Sequence, residues 1–213
     1  MFYVFFGATS TVQIYKLTLN RQQSLSALPQ VVQRAVAADD LNIVTEWVRF
    51  RPLAETAPLT DILLPLSGRL DFGIFFELAR RQLQAGHTEE ALFWLQVGRF
   101  RMRFDVLRCG VPGGQEAFDK ILTLFTSPAI RELLEKNPVL VKTSVRRVLD
   151  FDTKYPAHNS PAYTCRVEQQ LSSANVVHPI EQKDWESVRQ DLHAAAEDFL
   201  GKDVSKNPTN RHE

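Results

Sequence analysis

Apolar positions recur at helical spacing along most of this chain, most clearly over residues 72–109. Leu78, Ala79 and Leu83 share one helical face, and Gly86 then interrupts the run as a turn. Thr88 can cap the next helix, whose first turn holds Glu89 and Glu90, the charge sign that a helix amino terminus favours. Ala91, Leu95, Gly98 and Met102 form one stripe on this second helix. Phe93, Val97, Phe100, Phe104 and Leu107 form another, so more than one face seeks apolar neighbours and the helix is expected to be long and central.

The same pattern predicts a first hairpin. Residues 26–40 carry Val31, Val32, Ala35 and Val36 on one face after Pro29, and residues 41–50 continue with Ile43, Val44, Trp47 and Val48. Pro52, Pro58 and Pro65 then predict an irregular connection whose Leu59, Ile62, Leu63 and Leu64 pack on the core. After the second hairpin, GVPGG reads as a loop. Helices are expected over residues 115–125, over 128–136 capped by Ser127, and over 138–149 capped by Asn137. The periodicity is lost from 150 to 180, where Pro156, Pro161 and Pro179 predict a long loop. A last helix over 181–200 is expected to set Trp185, Val188, Leu192, Ala195, Ala196 and Phe199 on the core. Gly201 ends it, and residues 201–213 form a polar tail. The fold class is therefore all-α, built of antiparallel hairpins in one domain over residues 23–200.

The 213 residues, 44% of them hydrophobic, suffice for one real core. Lys and Arg number 25 and so do Asp and Glu, which leaves no net field to attract nucleic acid or an anionic membrane. No segment reaches the roughly 20 apolar residues of a membrane span, so insertion is not expected. Residues 1–22 open apolar and aromatic without the basic region of a secretory signal. Short strands suit Tyr3, Val4, Phe5, Thr11, Val12, Ile14 and Tyr15, with a leader or misplaced start as the alternative.

Leu78, Ala79, Gly86, Ala91, Leu95 and Gly98 fall at the offsets where a tetratricopeptide repeat places its packing residues, so the second hairpin resembles one such repeat of about 34 residues. Gln82 stands where that pattern has an aromatic, and its terminal proline is missing. The phrase EEALFWLQVGRFRMRFDVLRC, with FFELARR before it and SPAYTC after it, resembles a family of bacterial all-helical proteins that includes immunity proteins for contact-delivered toxins. That resemblance implies stoichiometric binding of a cognate toxin with no reaction and no cofactor. It transfers no catalytic residues.

Arg99, Arg101, Arg103 and Arg108, interleaved with Phe100 and Phe104, have the residue mixture of a nucleic-acid surface. Alternate positions on a helix lie about 200° apart, however, so these arginines spread around the cylinder and nucleic-acid binding is not expected. Asp105 is spaced to pair with Arg101 and Arg108, which predicts a structural polar cluster on the helix surface. Cys109 and Cys165 either bridge, in an oxidising space such as a periplasm, or remain two buried thiols in a cytoplasm.

Protein recognition is expected from the long loop, with Asp152, Tyr155, His158, Tyr163 and His178 as its contact residues. Two other functions stay open: a helical scaffold or chaperone that takes a peptide, and a metal-dependent hydrolase using the loop histidines. The spacing of His158 and His178 matches no metal-ligand pattern, and no oligomeric state is implied.

Overall fold

In a computed structural model, the description covers Gln30, Arg34, Ala35, Ala38 and residues 41–110, 114–171 and 179–202. Among the described residues, nine α-helices run in the order α1 (Leu41–Phe50), α2 (Thr56–Leu63), α3 (Phe72–Gln84), α4 (Thr88–Cys109), α5 (Gly114–Phe125), α6 (Pro128–Lys136), α7 (Pro138–Lys154), α8 (Ala162–Leu171) and α9 (Trp185–Gly201). Short 3-10 turns flank α2 and precede α9. The described residues contain no strand, so the fold is all-α. Residues 1–22, most of the helix expected over 26–40, and residues 203–213 lie outside the described residues.

The arrangement is built around α4. Both of its apolar stripes are used: Ala91, Leu95 and Met102 are buried on one, and Phe93, Val97, Phe100 and Phe104 on the other. Helix α3 packs antiparallel beside it after a turn at Gly86, whose φ of 80° lies in the region glycine enters without a Cβ penalty. Gly98 gives the two helices their close approach, since a Cβ there would sit 3.2 Å from the Phe76 ring. Helix α7 packs along another side of α4, and Phe75, Phe93, Trp94 and Phe151 meet in an aromatic cluster between the three helices.

Local chemistry sets several helix ends. Asp71 caps α3 by accepting from the Gly73 and Ile74 N–H groups, and Ser127 caps α6 by accepting from Ile130 N–H. Two expected caps are absent. Thr88 is the first residue of α4 and makes no capping bond, and Asn137 turns back to donate to the Leu133 carbonyl, closing α6 instead of opening α7. The proline-rich connection is also more regular than expected. It forms α2, which buries Leu59 and Leu63, because Pro58 sits in the first turn where its missing N–H is harmless.

Two corrections concern the carboxyl-terminal half. Helix α7 runs on to Lys154, and residues 162–171 form α8, so the stretch from 150 to 180 is not one long loop. Helix α9 forms as expected but is only half-sunk. None of its residues is fully buried, and Phe199 is 42% exposed.

Candidate functional site

The chemistry-bearing residues converge on the carboxyl-terminal half of α4. Arg101 and Arg108 fall on a face that turns inward, so each guanidinium must find its partners inside the protein. Arg101 is 2% exposed and forms an ion pair with Asp152 of α7 at 3.1 Å, while another of its nitrogens donates to the Tyr155 carbonyl. Arg108 is fully buried, hydrogen-bonds the Asp105 carboxylate one turn back, and donates to the Asn159 carbonyl at 2.9 Å. Its guanidinium lies between the Phe104 ring at 4.3 Å and the Trp185 ring at 4.2 Å, where the cation gains from both π faces.

Neighbouring elements complete the network. Asp105 also accepts from the Thr164 hydroxyl of α8 at 3.2 Å. Asp152 faces two further groups from α9: His193 Nε2 at 2.9 Å and Arg189 Nε at 3.7 Å. Arg189 in turn pairs with Glu186 at 3.0 Å and donates to the Ala157 carbonyl. Burial pushes the Asp105 carboxyl up from its ordinary range against the pull of Arg108. It also lowers the Arg101 guanidinium to about 10, against the pull of Asp152.

A covalent link reinforces these bonds. Cys109, the last residue of α4, is joined to Cys165 of α8 with their Cα atoms 5.2 Å apart, and no described cysteine is free. The chain between α7 and α8 is thereby held at several points. Its other side rests on Gly68, whose carbonyl accepts from His158 N–H at 2.8 Å. A Cβ on Gly68 would meet the Pro156 oxygen at 2.5 Å and the His158 ring at 2.6 Å, so only glycine permits this contact.

The expected recognition residues are therefore sorted by the fold. Tyr163 is 48% exposed on the outer face of α8, and His158 is exposed beside Gly68. Tyr155 is half-buried, with its ring against Phe151. Asp152 is 1% exposed inside α7 and occupied by Arg101, which removes it from any partner surface. His178 lies outside the described residues. The polar cluster is buried instead of superficial, and Asp105 orders Arg108 while Arg101 turns to Asp152. His158 bonds the Pro156 carbonyl and is not brought to Asp152. Among the described residues no group of three His, Cys, Asp or Glu side chains is placed to hold a metal ion, and no helix is long and apolar enough to cross a membrane.

Sequence reasoning missed Trp185 as a lid on Arg108, His193 and Arg189 as partners of Asp152, and Glu168. Glu168 is fully buried on α8, and neither of its carboxylate oxygens has a hydrogen-bond partner. Burial pushes its carboxyl up to about 7, against the pull of Arg103. No family model, curated protein or solved structure matches this chain.

Proposed function

We propose that this is a non-catalytic protein-binding protein whose recognition surface is the segment cross-linked to α4. The observation that carries the reading is the use made of the charged groups. Arg101, Asp105, Arg108 and Asp152 are at most 3% exposed, and they bond one another, Thr164 and the carbonyls of Tyr155 and Asn159. Such groups are committed to holding a segment in place. The side chains left outward on that segment, Tyr163 and His158, are of the kind that anchors protein partners, and a surface ordered beforehand loses less entropy on binding.

The finer reading is a bacterial immunity protein that sequesters a cognate toxin. Its support is the resemblance of residues 72–109 to that family, together with a cross-link that suits a chain working in an oxidising space. Co-expression with the product of the adjacent gene tests it: a stable stoichiometric complex that abolishes the partner's toxicity is expected. A partner that stays free and toxic refutes the immunity reading.

A further inference from the structure

On the side of α4 away from the disulfide, α4, α5, α6, α7 and α9 enclose a cleft of about 360 Å³, within the range of about 300–1,000 Å³ typical of small-ligand sites. Its walls are apolar: Phe100, Phe118, Leu134, Val141, Val145 and Val148 face it, and the half-exposed Phe199 lies at its edge. Among the described residues, two polar side chains, both on α4, interrupt this lining. Gln96 is 7% exposed, and its buried Nε2 has no hydrogen-bond partner. Arg99 is half-buried and makes no hydrogen bond or ion pair with a described residue.

An unpaired amide donor inside a protein is costly, and so is a half-buried guanidinium without a hydrogen-bond acceptor. One turn of helix separates residues 96 and 99, so both donors line the cleft from one face of α4. Asp119 of α5 acts on Arg99 through space without a contact ion pair, and its Oδ1 accepts from the Gln115 amide at 2.8 Å. Lys142, beside the Phe199 ring, donates to the Leu200 and Lys202 carbonyls. Gln96 and Arg99 therefore bring donors without hydrogen-bond partners, one of them cationic, to an apolar slot.

We infer that this cleft binds a single-chain amphiphile with an anionic head, of the medium-chain fatty-acid class, its tail among Phe118, Val145 and Val148 and its carboxylate on Arg99 and Gln96. This goes beyond the recognition surface proposed above, which lies across the molecule and shares none of these residues.

Calorimetric titration of the intact, oxidised protein with decanoate below its micelle concentration, and with decanol as the uncharged counterpart, tests the inference. The expected result is one decanoate per chain, bound roughly ten- to a hundredfold more tightly than decanol, the margin a charge-assisted contact supplies. Arg99→Gln should remove that preference while leaving decanol binding unchanged. Val145→Trp should abolish binding of both ligands. Absence of saturable decanoate binding, equal affinity for the two ligands, or Arg99→Gln leaving the preference intact would each overturn it. If Val145→Trp unfolds the chain, the Arg99→Gln comparison decides alone. Self-association abolished by decanoate-independent filling of the cleft would overturn it too, by assigning the face to a second copy.

Discussion

Arg101 and Asp152 stand 3.1 Å apart with almost no contact with solvent, and they join the central helix α4 to α7 across 51 residues of sequence. Each buried charge has the other as its ion-pair partner, with His193 and Arg189 also on Asp152 and the Tyr155 carbonyl also on Arg101. Removing Asp152 strips Arg101 of its ion-pair partner, and removing Arg101 leaves Asp152 only His193 and Arg189, so Arg101→Met or Asp152→Leu alone should destabilise the fold by up to roughly 3–5 kcal/mol, Asp152→Leu the more. The double variant should recover much of that loss. Urea unfolding of the two single variants and the double variant reads the coupling, and simple additivity would contradict it.

The disulfide closes a stretch of 56 residues, for which the chain-entropy relation gives about 4 kcal/mol. Cys165→Ser should lower stability by about that amount and raise hydrogen exchange in residues 155–165, leaving the α3–α4 hairpin protected. Alkylation of native protein without reductant should modify neither cysteine.

Glu168 makes stability depend on pH in a definite direction. Its carboxyl, raised to about 7 from the ordinary 4.5, keeps its proton in the folded chain over a range where the unfolded chain has lost it. Its contribution is therefore fully present below about 4.5, declines as pH rises towards about 7, and is lost above that. Glu168→Gln should be more stable than the parent at about pH 8, with the gap closing towards about pH 5. Urea midpoints across that range check this, and a gap independent of pH would contradict it.

Arg81 of α3 acts as a remote cap for α1. Buried at 1% exposure, it donates to the carbonyls of Val48, Arg51 and Pro52 at 3.0, 2.9 and 2.5 Å. A lysine cannot present this fork of donors, so Arg81→Lys should still destabilise by about 1–3 kcal/mol. Hydrogen exchange should then rise over residues 41–52 before it rises in α4. Uniform loss across the chain would contradict this local role.

What could be read from the sequence was local. Gly86, the stripes of α4 and the cap at Ser127 lie within one or two turns of what they control, and the pairing of Asp105 with Arg108 is written in a three-residue spacing. Arg101 was seen, but its partner lies 51 residues on, and nothing in the letters couples position 101 to 152. Helix α8 escaped because its inward face is Thr164, Cys165 and Glu168. These are spaced as a helix requires, yet they are invisible to a reading of apolar periodicity. Arg189 and His193 look like ordinary surface residues of an amphipathic helix until α9 is laid on α7. The candidate site is a set of long-range charge pairings, the kind of information that a single sequence holds least openly.

Tyr163 tests the central proposal most directly. It is exposed, anchored by a helix that the disulfide and Asp105 hold in place, and absent from the core, so Tyr163→Ala should leave the melting temperature unchanged. With the product of the adjacent gene as ligand, surface plasmon resonance should show affinity falling by about tenfold or more. An unchanged affinity, or a partner released in chemically altered form, would contradict a non-catalytic recognition surface on this segment.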